Sequence, residues 1–185
     1  IAKETRTPFI AYSAVLSGIK EIKTVMAEAN SYFRACTRKT IVFVDEIHRF
    51  NKAQQDAFLP YVESGVIVLI GATTENPSFE VIGALLSRMK VYVLNPLSLA
   101  EIEQILARAL HDQERGLGKE PIRLPDKVLS QIALHADGDA RIALNLLEIS
   151  ASLARGRAGG TVPEITAADL EVALARKILQ YDKAG

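Results

Sequence analysis

The chain has 185 residues, 49% hydrophobic and 24% charged, enough to bury a core in one domain or two small ones. Lysine plus arginine (22) balance aspartate plus glutamate (22), so no global positive field announces nucleic acid, and such binding would need a local patch. The lone Cys36 excludes an internal disulfide and reads as a buried or unreactive thiol in a reducing compartment; with no membrane-length apolar segment and no signal-peptide layout, a cytoplasmic protein is expected.

In chain order, PFIAYSAV (8–15) reads as a strand, Ile19, Ile22, Met26, Ala29 and Phe33 fall at helical spacing, and TIVFV (40–44) reads as a second strand. A helix is expected from about Asn51 to Ser64, kinked at Pro60 and closed by Gly65. Then come a strand over VIVLIG (66–71), a short helix near Ile82 to Arg88 and a strand over VYVL (91–94). These strands are continuously apolar, which predicts a parallel sheet covered on both faces. After Asn95-Pro96 the pattern changes to four helices, near 98–114, 125–137, 139–155 and 166–180. The loops GLGKEPIRLP (116–125) and GRAGGTVP (156–163) separate them and are too short for disordered linkers. An α/β layer followed by a small helical domain is the expected architecture.

The stretch TIVFVDEIHRF (40–50) carries the chemistry. A buried strand ends there by presenting two adjacent carboxylates, Asp45 and Glu46, which are costly to desolvate without a compensating cation or hydrogen bonds. In open α/β sheets ligands bind beyond the carboxyl ends of strands. The placement matches a Walker B motif, although acidic residues also follow strands simply as helix caps. The third strand runs into ATTEN, which sets Thr73, Thr74 and Asn76 at the neighbouring strand end, as a water- or phosphate-positioning group or as a polar turn. In ALLSRMKVYVL, Arg88 closes a helix, a position the helix dipole favours by itself. In GDARIALNLLE, Arg141 stands in the first turn of a helix, where the same dipole slightly disfavours it; a local rule broken in this way hints at function.

In this order and spacing these features resemble the AAA+ ATPases. The words FVDEIHRFNKAQQDAFLPYVESG, IGATTENPSF, ALLSR and DGDAR resemble the replication-associated recombination protein A family, bacterial relatives of the Werner-helicase-interacting protein, over nearly the whole chain. Clamp loaders and Holliday-junction branch-migration motors share the functional positions but not these flanking words. The resemblance implies an ATPase using ATP and Mg²⁺, with Asp45 on the metal and Glu46 acting on the hydrolytic water. It makes Thr74 the sensor 1 residue, with Asn76 in reserve, Arg88 an arginine finger acting on the next subunit, and Arg141 sensor 2 in a helical lid. His48 and Arg49 read as structural or interface residues, and His111 and His135 as ordinary helix residues without ligand-like spacing.

The family's Walker A loop is not found, since no G-x-x-x-x-G-K-[ST] occurs. IAKETRTPF resembles the end of the helix that follows that loop, and KILQYDKAG the lead into a C-terminal oligomerisation domain, so a segment cut at both ends is expected. The implied division is 1–96 for part of the nucleotide-binding core, 97–180 for the lid and 181–185 for the start of a linker. In the family's 5-1-4-3-2 sheet order, strand 1 lies between the strands expected here at 91–94 and 66–70. This chain should therefore hold a partial αβα core with its central strand missing, and be unable to hydrolyse ATP by itself. The resemblance further implies a homo-oligomer acting with DNA and replication proteins such as single-strand-binding protein at stalled forks, near the nucleoid and away from membranes. The rival expectation is a non-hydrolysing AAA+-like interaction module.

Overall fold

The computed structural model describes residues 2–14, 18–159 and 161–181, and the side chains of 177–181 are left aside. Val15 in the first expected strand and most of the expected linker at 181–185 lie outside the described residues. The chain divides into two compact units, Ile1–Val93 and Leu94–Gly185.

In the first unit a short helix α1 (Ala2–Thr5) precedes β1 (Phe9–Ser13), α2 (Ile19–Cys36), β2 (Thr40–Asp45) and a 3-10 turn (Ile47–Arg49). Helices α3 (Lys52–Asp56) and α4 (Leu59–Glu63), strand β3 (Ile67–Gly71) and short helices α5 (Pro77–Glu80) and α6 (Gly83–Leu86) follow. The strands form one parallel sheet in the order β1-β2-β3, with Tyr12 opposite Val44 and Val44 opposite Gly71. Such pairing needs crossover connections, which α2 and the α3–α4 segment supply. Ile22, Met26 and Ala29 of α2, spaced by four and three residues, form one buried stripe in the same core as Val42 and Val44.

Three expectations need correction. The helix expected over 51–64 is two helices, and the break falls at Ala57–Phe58, ahead of Pro60. Proline then stands in the first turn of α4, where its missing N–H costs no helical hydrogen bond. Second, 91–94 forms no strand: Val91, Tyr92, Val93 and Leu94 are 55–91% exposed. A strand is made by hydrogen bonds to a neighbour, and 91–94 pairs with neither edge strand, β1 or β3, of the described sheet. Third, one sheet face is covered unevenly: Ile41 at its centre is 4% exposed, whereas its register neighbours Phe9, stacked on Phe43, and Val68 remain 51% and 42% exposed. The opposite face packs Val42 and Val44 with Ile22, Met26 and Ala29 of α2. Of the two readings of Cys36, buried or merely unreactive, burial does not hold: the free thiol is exposed.

The second unit is helical, with α7 (Leu99–His111), α8 (Asp126–Ala136), α9 (Ala140–Arg157) and α10 (Ala167–Tyr181). Ser98 and Glu101 cap α7 reciprocally, and Asp139 caps α9 by accepting from the N–H groups of Arg141 and Ile142. Ile102, Leu106, Ile132, Leu146, Leu147 and Ile165 are among its buried core. The two long loops meet in a single parallel bridge, where Arg123 N–H donates to Pro163 C=O and Ile165 N–H donates to Arg123 C=O, each at 2.9 Å. Below that bridge the buried Asp169 carboxylate accepts two hydrogen bonds from Arg157 and others from the backbone and hydroxyl of Thr166.

Two stability predictions follow from these contacts. Gln55 is buried and fully engaged: its Nε2 donates to the carbonyls of Phe50 (2.9 Å) and Glu80 (3.0 Å), and its Oε1 accepts from Ile82 N–H (2.9 Å). Gln55→Leu strands those three backbone groups and should cost roughly 2–4 kcal/mol in urea unfolding of the 185-residue chain, whereas a cost below about 0.5 kcal/mol would mean that the groups find other partners. The Arg157 guanidinium, aided by Thr166, holds the Asp169 carboxyl down from 3.8 to about 2. Because the folded value lies below the unfolded one, this stabilisation is present above about pH 4 and disappears as the pH falls through about 2. Asp169→Asn should therefore cost on the order of 1–2 kcal/mol at pH 7, discounted because Arg157 is 52% exposed, and the gap to the wild type should narrow as the pH approaches 2.

Candidate active site at the carboxyl ends of the strands

Parallel register brings the ends of all three strands to one edge, where Ser13 pairs with Asp45 and Val44 with Gly71. Asp45 is the last residue of β2; its side chain is exposed, and its carbonyl accepts from Ala14 N–H at 3.2 Å. The chain then turns sharply, because Glu46 adopts φ 54°, ψ 46°, in the left-handed region. For a residue with a Cβ this conformation costs roughly 1–2 kcal/mol and persists only where the surroundings impose it. Here β3 imposes it: Ala72 N–H donates to Val44 C=O at 2.9 Å, and Ala72 C=O accepts from Ile47 N–H at 3.0 Å. Ile47 is buried against Gly71, where a Cβ would lie 3.0 Å from Ile47 Cδ1.

One side chain joins the two strand ends. His48 Nε2 lies 3.3 Å from Glu46 Oε2, and His48 Nδ1 lies 2.9 Å from Thr73 Oγ1, which also accepts from Glu75 N–H at 3.0 Å. Thr73 and His48, rather than Thr74, are thus the residues linked to Glu46. Thr74 is exposed on the same loop, with no hydrogen bond among the described residues. Asn76, the reserve choice, caps α5 by accepting from Ser78 N–H at 3.0 Å. The His48–Thr73 contact spans 25 residues, so no local pattern marks it; only the Val44–Gly71 register puts the two loops side by side.

Arg88 follows α6 directly and is held at home. It bridges Glu63 at 2.7 Å and donates from Nη1 to Ala84 C=O (2.8 Å) and Ser87 Oγ (3.0 Å). In the second unit, Arg141 is the second residue of α9; its backbone N–H is held by Asp139, while its exposed guanidinium has no partner among the described residues.

Mg²⁺ binds proteins through one or two carboxylates and completes its shell with water and substrate phosphates. The exposed Asp45 carboxylate beside Glu46 fits that demand. No cluster of three or more acidic, histidine or cysteine ligands occurs among the described residues, as an all-protein cage would require.

Comparison with known proteins assigns the family. Residues 1–97, just over half of the chain, match the ATPase family associated with various cellular activities (AAA). The chain belongs to that AAA family. Residues 118–185 match the AAA C-terminal domain, which takes in α8, α9 and α10. The AAA chain is 49% identical over 185 residues to replication-associated recombination protein A of Haemophilus influenzae, covering 100% of this chain and 41% of that protein. It is 53% identical over 154 residues to the protein of the same name from Escherichia coli K12, covering 83% of this chain and 34% of that one. It therefore spans well under half the length of the curated relatives it matches. Among solved structures, the Thermotoga maritima RuvB Holliday junction branch migration motor superposes with a TM-score of 0.69 at 23% identity, covering 94% of this chain and 54% of that one, a likeness of fold.

The left-handed turn makes a direct prediction for this AAA chain. Glycine at position 46 escapes the Cβ penalty that alanine incurs, so Glu46→Gly should be more stable than Glu46→Ala by about 1 kcal/mol in urea unfolding. Equal stabilities, or a more stable alanine variant, would show that the turn is not enforced.

Proposed function

We propose that this chain supplies the hydrolytic strand ends and the lid of an AAA ATPase of the replication-associated recombination protein A type. The observation that carries this reading is the Asp45–Glu46 pair at the open end of β2, with Glu46 tied through His48 to the end of β3. In the full-length protein Asp45 would hold Mg²⁺, which screens the phosphate charge, and Glu46 would take the proton of the hydrolytic water. Thr74 would serve as sensor 1, in keeping with its exposed and unengaged hydroxyl, with Asn76 as the reserve because its carbonyl oxygen is already spent on a helix cap. Arg141, whose guanidinium is likewise unengaged among the described residues, would report on the nucleotide as sensor 2.

Arg88 would act as an arginine finger on the next subunit. Its ion pair with Glu63 joins two half-exposed side chains, and such surface pairs are worth about 0–1 kcal/mol. An arginine finger contributes about 10³–10⁵ in rate, or roughly 4–7 kcal/mol, so leaving Glu63 is a small cost beside the gain. The full-length protein would be a cytoplasmic homo-oligomer that couples ATP hydrolysis to remodelling DNA or protein at stalled replication forks, alongside partners such as single-strand-binding protein. The names of its bacterial relatives support that setting. The 185-residue chain alone, which has no Walker A sequence, would not turn over ATP.

Two experiments on the full-length protein test this reading. Glu46→Gln keeps the side-chain size but is a far weaker base, so ATP should still bind while turnover falls about 10²–10⁴-fold; a rate within about twofold of the wild type would remove Glu46 from the mechanism. Subunits carrying Arg88→Ala, inactive alone, should regain ATPase activity when mixed with subunits disabled in the Walker A lysine, because an intact site then meets an intact finger. Co-assembly without recovered activity would exclude action across subunits.

A further inference from the structure

The contacts of His48 go beyond the roles assigned above. Its side chain is 15% exposed and that of Glu46 30%, so the imidazole is sheltered while the carboxylate keeps a face toward solvent. An ionised carboxylate has no proton to give, so the 3.3 Å approach of His48 Nε2 to Glu46 Oε2, an electrostatic contact rather than an aligned hydrogen bond, is favourable when the proton is on Nε2. In the neutral ring Nδ1 is then an acceptor, and the Thr73 hydroxyl 2.9 Å away donates to it. Thr73 Oγ1 still has a lone pair for the Glu75 N–H, which reaches it at 3.0 Å. The contacts run from Thr73 to His48 through a hydrogen bond and from His48 to Glu46 through a longer electrostatic approach.

Glu46 Oε1 has no protein partner among the described residues, so one carboxylate oxygen is tethered and the other is available. A carboxylate on a strained, solvent-facing turn would otherwise sample several rotamers, and catalysis by a general base depends on its distance from the proton it takes. The tether also makes the carboxylate sensitive to β3, because the loop carrying Thr73 moves with the strand end.

We infer that His48 is a positioning residue that fixes the Glu46 carboxylate and couples it, through Thr73, to the end of β3. This rests on the reading of Glu46 as the residue acting on the hydrolytic water. A role confined to packing would make His48 replaceable by any residue that preserves stability, and its effect would be independent of Glu46.

The test uses side-chain reach. A glutamine amide nitrogen can stand where Nε2 stands and keep the donor to Glu46, whereas an asparagine amide reaches only the Nδ1 position. In the full-length protein, His48→Asn should lower kcat by roughly 10–100-fold, the usual cost of removing a partner that orients an active-site ligand, with KM for ATP within about twofold. His48→Gln should retain more of the rate than His48→Asn, and Thr73→Val should lower kcat where Thr73→Ser does not. Because His48 acts through Glu46, adding His48→Asn to Glu46→Gln should change turnover by less than about twofold. As a readout independent of activity, ¹⁵N spectra of the 185-residue chain with neutral imidazole should show His48 protonated at Nε2 and an Nδ1 signal that shifts in Thr73→Val. Additive losses in the double variant, kcat within about twofold in His48→Asn, or an Nδ1-protonated ring indifferent to Thr73 would each overturn the inference. If Glu46→Gln itself leaves turnover intact, the hydrolytic reading fails first; if it stalls turnover while His48→Asn does not, only the positioning role falls.

Discussion

Ala72 uses both of its backbone groups to hold the end of β2, donating to Val44 and accepting from Ile47. The residue between those two partners that must reverse the chain is Glu46, which is why a glutamate occupies a conformation better suited to glycine. The chain could relieve the strain by fraying at the strand end, but fraying would leave Ala72 unpaired and expose the buried Ile47. Hydrogen bonding between two parallel strands thus fixes the direction in which the carboxylate leaves the backbone, and the imidazole of His48 limits where its tip can go.

The same edge explains why so much of the chemistry lies on short loops. Parallel strands put all their carboxyl ends on one side, so loops remote in sequence become neighbours without any long excursion. Gln55 extends this economy: it ties the start of α3 to the segment entering α6, the helix that ends just before Arg88. In the other unit, capping by Asp139 fixes the start of α9 and leaves the Arg141 side chain unengaged among the described residues. In both units rigid hydrogen bonding holds the backbone, while the charged ends that would meet a ligand are free or weakly held.

Much of this was legible from residue pattern. Continuous apolar runs mark β1, β2 and β3, and a carboxylate pair directly after one of them marks the candidate site, because burial and charge change within two residues. The four-helix unit was legible from the loss of strand pattern after Asn95-Pro96 and from the loops that separate its helices. The misreadings share one cause: each concerned what lay beside an element, which a linear pattern does not encode. VYVL (91–94) has the composition of a strand but pairs with no strand of the described sheet, Phe9 and Val68 have the composition of a core but stay about half exposed, and Pro60 starts a helix instead of kinking one. His48 read as a structural or interface residue and Thr73 as a water- or phosphate-positioning group or a polar turn, and only the pairing of β2 with β3 brings them together.

The central claim is that the end of β2 handles the metal–phosphate end of a nucleotide. Calorimetric titration of the full-length protein with a non-hydrolysable ATP analogue, with and without Mg²⁺, tests it most directly when the wild type is set beside Asp45→Asn. The wild type should bind the analogue more tightly with Mg²⁺ than without it, and Asp45→Asn should lose most of that gain while its metal-free affinity stays the same. An Mg²⁺ enhancement that survives undiminished in a folded Asp45→Asn protein would contradict the account.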